Sequence, residues 1–184
     1  EDISVNFETG TINQDSELRP NWKVRLVDTG IETLTGGRVK RLQNILGKER
    51  FFLTYGDGVA NVDLNKLLNF HEEKACTATV TAVHPASRFG SIDFEGDTLT
   101  GFAEKSQTDI GWINGGFMVL EPNIFEYLGG DNSVLELDGL EELAKRSLLA
   151  GYKHEGFWQC MDSLRDRNLL QTMWESGKPA WKIW

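Results

Sequence analysis

The chain has 184 residues, 40% hydrophobic and 26% charged, with a formal net charge of −9. These values predict one globular domain over residues 1–184. The acidic balance argues against a nucleic-acid partner, which would require a basic surface. No apolar run reaches the roughly 18 residues of a membrane span, and the polar start EDISVNFETG predicts no signal peptide.

Strand and helix patterns alternate along the first half of the chain. Asp63 is a good N-cap for the helix predicted after it, over 64–74. In chain order, the patterns predict strands over 2–7 and 22–27, a loop over 28–37, a helix over 38–46, a strand over 50–55 and a helix over 64–74.

The second half continues the alternation. Glu95-Gly96-Asp97 predicts the turn of a hairpin, and Ser163 with Asp166 resembles a capping box. The patterns predict strands over 77–83, 91–94, 98–105 and 112–120, a short helix after Pro122, a helix over 140–146, a strand over 156–162 and a helix over 164–176.

Two cysteines, Cys76 and Cys160, show neither a CxxC motif nor a Cys/His metal spacing. Cys76 lies in the strand-like run ACTATVTAV, so we expect a buried free thiol there. A pair of free thiols is typical of a reduced, cytoplasmic protein.

The order of elements predicts an α/β fold with a mostly parallel sheet. In such sheets, ligands bind beyond the carboxyl ends of the strands. Asp57, in the run FFLTYGDG, and Asp162, in GFWQCMD, each follow a predicted strand. Mg²⁺ is commonly held by one or two carboxylates together with substrate phosphates, and Gly56 would let a phosphate approach the backbone. A turn aspartate and a helix-capping aspartate are the alternative.

The run FAEKS places Glu104 and Lys105 at a strand end. A glutamate can accept hydrogen bonds from sugar hydroxyls and a lysine can pair with a phosphate, although a solvated strand end gives the same pattern. INGGF interrupts an apolar strand with Asn114 and Gly115. Glycine inside a strand indicates either a bulge or a close ligand.

TGGR, residues 35–38, precedes a predicted helix. Free N–H groups at a helix start favour anions or carbonyl oxygens, and Arg38 is a cation at the end of the helix where the dipole disfavours one. A flexible loop with a surface arginine is the alternative. No nucleophile elbow, Walker A motif or G-x-G-x-x-G occurs, and none of the three histidines is a convincing base.

Seven blocks in this order resemble the sugar-phosphate nucleotidyltransferase family, and within it the glucose-1-phosphate cytidylyltransferases. The resemblance covers nearly the whole chain. The blocks are VDTG, TGGR, TYGDGVANVD, HPASRFG, FAEK, WINGGFMVLEP and GFWQCMDSLRD.

The resemblance implies a Rossmann-like fold and the formation of CDP-glucose and pyrophosphate from CTP and α-D-glucose 1-phosphate with Mg²⁺. It implies that Asp57 and Asp162 hold the metal and, with Lys105, carry the catalysis. Glu104 would grip the sugar and Lys105 its phosphate. The other substrate-binding residues implied are Thr35, Gly37, Arg38, Gly56, Gly90, Asn114 and Gly115.

The sequence departs from the family pattern at its start. The family begins with a glycine-rich GG-x-GTR loop and a later lysine, which cradle the triphosphate, and neither occurs here. The resemblance therefore implies a C-terminal portion without the first strand and helix, inactive alone. Ser106 also replaces a frequent proline, and Asp138-Gly139-Leu140 stands where an acidic residue and Pro-Leu are usual.

Other functions are compatible with these motifs. The same class includes enzymes that use UTP or dTTP, although GFWQCMD and INGGF favour the cytidylyl branch. A non-catalytic sugar-nucleotide-binding or partner subunit is an alternative of another class. A metal-dependent glycosyltransferase would carry D-x-D at the strand end, which is not the pattern here. The resemblance also implies self-association and a role in nucleotide-sugar biosynthesis for O-antigen.

Overall fold

The structure is a computed structural model that describes residues 3–6, 11–14, 23–85, 90–104 and 111–183. Its strands are β1 Ile3–Asn6, β2 Thr11–Gln14, β3 Phe51–Thr54, β4 Gly58–Ala60, β5 Ala78–Val83, β6 Gly90–Glu95, β7 Thr98–Glu104, β8 Ile113–Leu120, β9 Leu149–Lys153 and β10 Trp158–Cys160. Its α-helices are α1 Thr35–Arg41, α2 Gln43–Leu46, α3 Leu64–Lys74, α4 Glu141–Lys145 and α5 Leu164–Glu175. A 3₁₀ helix spans Pro122–Glu126 and a π-helix spans Leu135–Leu140.

A four-stranded mixed sheet in the order β3-β8-β5-β9 forms the centre of the fold. β8 pairs antiparallel with β3 and β5, and β5 pairs parallel with β9. Three further antiparallel pairs are described, β1 with β2, β4 with β10 and β6 with β7. The α/β class and the mixed sheet are confirmed. Among the described strands, fewer pairs are parallel than the sequence predicted, since β5 and β9 alone pair in parallel.

The apolar run of β8 supplies the core on both faces of the sheet. Met118 and Leu120 pack in the larger cluster with Phe125 and Leu143. Val119, between them in sequence, packs instead in the smaller cluster beneath α3. Successive strand residues point to opposite faces, so one strand stabilises both layers. Each such fully buried side chain contributes roughly 1.5–3 kcal/mol.

Helix α3 forms as its caps predict. The Asp63 carboxylate accepts hydrogen bonds from the backbone N–H groups of Asn65 and Lys66, at 3.0 Å each. Ala75 ends the helix in the left-handed region, at φ 48°. The face that carries Leu67 and His71 is buried. The prediction that Asp63 caps the helix is confirmed.

One local prediction was wrong, and two predicted helices are present but differ in extent or type. Residues 23–27 form no strand, because Val24 and Leu26 are 72% and 82% exposed and pair with no described strand. The helix predicted over 38–46 begins at Thr35 and is divided into α1 and α2. The short helix after Pro122 is a 3₁₀ helix.

The hairpin around Gly96 and the capping box of α5 are confirmed. In the ranges given above, none of the helices combines the length and apolar character that crossing a bilayer requires.

Candidate active site

Asp57 and Asp162 meet at one end of the β4–β10 ladder. Cys160 pairs with Gly58, and the next step of the ladder is a hydrogen bond of 2.9 Å from the backbone N–H of Met161 to the carbonyl oxygen of Asp57. Met161 is thus the cross-strand neighbour of Asp57, and Asp162 is the residue after it. Both aspartates are exposed. Residues 105 positions apart in sequence therefore present carboxylates at one exposed strand end.

Asp162 is not the cap of α5. The Ser163 hydroxyl accepts a hydrogen bond from the backbone N–H of Asp166, and the Asp166 carboxylate accepts one from the backbone N–H of Ser163, each at 3.2 Å. These two residues form the capping box. The helix-capping alternative for Asp162 was therefore wrong. Its carboxylate accepts a hydrogen bond from the Cys160 thiol at 3.3 Å; burial and this carboxylate raise the pKa of that thiol.

The glycines around Asp57 are not required by the packing of the protein. A Cβ at Gly56 would meet nothing within 4 Å, and one at Gly58 would lie at an ordinary 3.6 Å from the carbonyl oxygen of Gly115. The open side of Gly56 is compatible with a ligand close to the backbone. The role of Gly56 in substrate binding stays a prediction.

The INGGF segment is a bulge whose glycines pack tightly. The pairing of β8 with β5 shifts register between Val80 and Ala82. A Cβ at Gly115 would lie 2.7 Å from Val83 Cγ1. Gly116 adopts φ +81°, and its N–H donates to Asn114 Oδ1 at 3.0 Å. The bulge alternative is confirmed, and it fixes the orientation of the Asn114 amide.

The bulge also contacts the ladder that carries the aspartates. The Trp158 indole Nε1–H donates to the carbonyl oxygen of Gly115 at 2.8 Å, and the backbone N–H of Tyr55 donates to the carbonyl oxygen of Gly116 at 3.2 Å. Trp158 is in β10, two residues before Cys160. Gly115 and the two aspartates are therefore parts of one connected region.

Tyr55 and Glu136 link two predicted substrate-binding residues, and no motif in the sequence pointed to either of them. The Tyr55 hydroxyl donates to Glu136 Oε1 and accepts from Asn114 Nδ2 at 3.1 Å. The Thr35 hydroxyl donates to Glu136 Oε2 at 3.0 Å. Burial, then the hydrogen bond with Glu136, raises the pKa of Tyr55. Glu136 is in a π-helix, which has more residues per turn than an α-helix. The α-helical spacing of apolar residues therefore does not predict its position.

Tyr55→Phe tests this link. We expect the free energy of unfolding to fall by about 1 kcal/mol, because Glu136 loses a donor and Asn114 loses an acceptor. Urea unfolding followed by circular dichroism measures it. Tyr152→Phe, at a ring packed edge-on against Phe70 with centroids 5.5 Å apart, is the matched control. Equal changes in the two variants would contradict the role of the Tyr55 hydroxyl.

Close packing accounts for the glycines of TGGR. A Cβ at Gly37 would lie 2.6 Å from the carbonyl oxygen of Asp131, and the Gly37 N–H donates to Ser133 O at 3.0 Å. A carbonyl oxygen, one of the two kinds of acceptor expected there, therefore takes up this N–H group. The Arg38 guanidinium donates to Thr29 Oγ1 at 2.9 Å and Ile31 O at 3.1 Å. The binding roles of Gly37 and Arg38 stay predictions.

The β6–β7 hairpin brings together two residues predicted to bind the sugar. Gly90 is the ladder partner of Glu104. Lys105, the next residue, lies outside the described residues, as do residues 86–89.

Asp57 and Asp162 fit a magnesium ion held partly by substrate. No cluster of three or more histidine, cysteine, aspartate or glutamate side chains suits a metal in the part of the chain that the structure describes. Mg²⁺ retains several waters and takes one or two carboxylates plus phosphates. A pair of exposed carboxylates supplies that donor set, whereas a closed structural site would need more ligands.

Comparison with known proteins agrees with the family resemblance. The family model described as "Nucleotidyl transferase" matches residues 17–162. The chain is 42% identical over 183 residues to a probable glucose-1-phosphate cytidylyltransferase of Bacillus subtilis, covering 99% of this chain and 71% of the relative. It is 43% identical over 164 residues to the glucose-1-phosphate cytidylyltransferase of Salmonella typhi, covering 89% and 64% respectively. The chain thus spans about two thirds of these relatives' length.

Solved structures share the fold. One is a UDP-glucose pyrophosphorylase complexed with UDP-glucose, with a TM-score of 0.60 and 19% identity over 83% of this chain and 66% of that one. Another is a putative glucose-1-phosphate thymidylyltransferase from Bacillus anthracis, with a TM-score of 0.56 and 14% identity over 84% of this chain and 64% of that one. At these identities the likeness extends to the fold alone, which confirms the Rossmann-like prediction.

Proposed function

Since the chain belongs to the nucleotidyl transferase family, we propose that this protein forms CDP-glucose and pyrophosphate from CTP and α-D-glucose 1-phosphate. A phosphate oxygen of the sugar phosphate attacks the α-phosphorus of CTP. The bond between the α-phosphorus and the oxygen bridging to the β-phosphorus breaks, and pyrophosphate leaves. The attacking oxygen is already anionic, so no general base is needed.

The meeting of Asp57 and Asp162 carries this proposal. Aspartates far apart in sequence lie at the same end of the β4–β10 ladder, and neither caps a helix nor belongs to a described ion pair between side chains. Bound there, Mg²⁺ would neutralise phosphate charge. The identities of 42% and 43% to cytidylyltransferases support the choice of reaction.

The other residues would position the substrates. Asn114 would face the sugar, with its amide oriented by Tyr55 and Gly116. Glu104 would accept hydrogen bonds from sugar hydroxyls, and Lys105 would pair with the phosphate. Thr35 would adjoin the nucleotide, and hydrogen bonds through Glu136 and Tyr55 link it to Asn114. Alignment and charge neutralisation are the main contributions a protein makes to this chemistry.

The proposal is tested with the protein as its whole gene encodes it. CTP, UTP or dTTP is supplied with α-D-glucose 1-phosphate and Mg²⁺, and nucleotide sugars are separated by anion-exchange chromatography while pyrophosphate is measured enzymatically. We expect CDP-glucose and pyrophosphate in equal amounts. Product formed mainly from UTP or dTTP would assign another nucleotidyltransferase specificity. CDP-glucose binding without pyrophosphate release would favour the non-catalytic subunit.

Three further expectations belong to the same proposal. Self-association is tested by light scattering on the eluting protein. A reduced, cytoplasmic location is supported by the free thiol of Cys76. A role in nucleotide-sugar biosynthesis for O-antigen would follow from the product.

A further inference from the structure

A cluster of polar side chains lies at the end of the sheet opposite the aspartates. It surrounds Cys76, just before β5, and Glu121, just after β8. The cluster lines an open groove of about 780 Å³, which we call the Cys76 groove. Its lining includes Arg50, His71, Glu72, Cys76 and Glu121. The proposed transferase chemistry uses none of these residues.

Within the Cys76 groove, a histidine lies between a thiol and a carboxylate. The His71 Nδ1 atom is 3.8 Å from Cys76 Sγ, and its Nε2 atom is 3.2 Å from Glu121 Oε1. His71 is 1% exposed, so its ring is held by these partners rather than by water. The arrangement has the order of nucleophile, base and orienting carboxylate found where side chains activate a thiol.

The carboxylate fixes which nitrogen of His71 can act as the base. Arg50 Nε donates to Glu121 Oε1 at 2.6 Å. Although burial raises the pKa of Glu121, the hydrogen bonds from Arg50 and His71 outweigh burial and lower it. An ionised Glu121 can only accept, so the His71 hydrogen is assigned to Nε2. Nδ1 is then an acceptor, with the Thr79 hydroxyl as its hydrogen-bond donor at 2.8 Å and Cys76 Sγ 3.8 Å away.

The atoms around Cys76 can form hydrogen bonds with its sulfur both as a thiol and as a thiolate. The thiol donates to the carbonyl oxygen of Ala78 at 3.0 Å, and Thr79 Oγ1 lies 3.3 Å from Sγ. Thr79 Oγ1 is also 2.8 Å from His71 Nδ1. When Nδ1 takes the thiol proton, the Thr79 hydroxyl can turn its hydrogen towards the thiolate. A thiolate beside an imidazolium is the reactive form of cysteine.

We propose that Cys76 is a modification site that forms mixed disulfides with small, uncharged or cationic disulfides that enter the Cys76 groove. His71 takes the proton from Cys76. The thiolate attacks one sulfur of the small disulfide, a new S–S bond forms and the old one breaks. The departing thiolate takes a proton from His71 and leaves as a thiol. The Cys76 sulfur is oxidised and the departing sulfur is reduced, so no other oxidant is needed.

The charge of the groove sets the preference for disulfides without negative charge. Arg50 pairs with Glu72 at 2.5 Å and with Glu121 at 2.6 Å. Two carboxylates against one guanidinium leave the groove with a net negative charge. An anionic disulfide would be repelled on approach, whereas a neutral one would not.

The test uses Cys160 as an internal reference, since burial and Asp162 raise the pKa of its thiol. The protein reacts with a limiting amount of the neutral probe 2,2′-dithiodipyridine, and the released thione is followed by absorbance. Peptide mass spectrometry then locates the label. We expect Cys76 to react about tenfold faster than Cys160. Equal rates, or a faster Cys160, would overturn the proposal.

Variants distinguish activation of the Cys76 thiol by His71 from reactivity that arises only because the thiol is accessible. Cys76→Ser is expected to remove the fast phase and Cys160→Ser to keep it. His71→Gln is expected to slow labelling of Cys76 about tenfold and leave Cys160 unchanged. If His71→Gln does not fold, Glu121→Gln, which weakens the orienting hydrogen bond, is expected to slow the same phase. An unchanged fast phase in a folded variant would show that Cys76 reacts without activation.

Discussion

Asp162→Asn is expected to lower kcat/KM for CDP-glucose formation by about a thousandfold, with the fold intact. The change removes the carboxylate of one of the two exposed aspartates that lie at the same end of the β4–β10 ladder. A bound metal stabilises charge in the transition state by several kcal/mol, at 1.36 kcal/mol for each tenfold. The fold is spared because Asp162 is exposed and the cap of α5 is made by Ser163 and Asp166.

Initial rates at increasing Mg²⁺ concentrations measure this effect in the whole protein. Asp97→Asn is the matched control, since this exposed residue is in the β6–β7 turn and makes the same change of charge. Asp57→Asn is expected to behave like Asp162→Asn. Undiminished activity in Asp162→Asn would remove Asp162 from the metal site, and a lowered unfolding midpoint would show a structural role instead.

Gly116→Ala is expected to destabilise the protein by about 3 kcal/mol, combining backbone strain with overpacking. Gly116 adopts φ +81°, in a region that L-residues rarely occupy. A Cβ there would also lie 2.7 Å from Cδ2 of Tyr55. The Tyr55 ring cannot withdraw freely, because its hydroxyl is bonded to Glu136 and Asn114.

Urea unfolding measures the change, with Gly151→Ala as the matched control. Gly151 is in β9, and a Cβ there would meet nothing within 4 Å. Its substitution is expected to change the free energy of unfolding by less than about 0.5 kcal/mol. If Gly116→Ala were as mild as this control, the bulge would not require glycine.

Much of the local structure follows from short patterns of residues. Asp63 caps α3 through its own neighbours, and Ser163 and Asp166 cap α5 in the same way. The turn at Gly96 joins β6 and β7 with φ +59°. These features depend on interactions within a few residues, so the sequence contains the necessary information.

Elements that depend on distant partners were predicted less well. Val24 and Leu26 alternate with polar residues like a strand, but alternation produces a strand only where a neighbouring strand accepts its hydrogen bonds. The glycines of TGGR predicted N–H groups available to an anion or a carbonyl oxygen, and the packing of Gly37 against Asp131 and its bond to Ser133 O decided for the carbonyl oxygen. In both cases the deciding partner is remote in sequence or not among the described strands.

The sequence by itself determined the α/β class, the capped helices, and the placement of Asp57 and Asp162 after strands, because periodicity, caps and turns are local. Only the tertiary structure decided that the two aspartates lie at the same end of one ladder, that Tyr55 and Glu136 join Thr35 to Asn114, and that His71 lies between Cys76 and Glu121. Such contacts arise when the chain packs, since burial and strand pairing bring together residues that no short spacing relates.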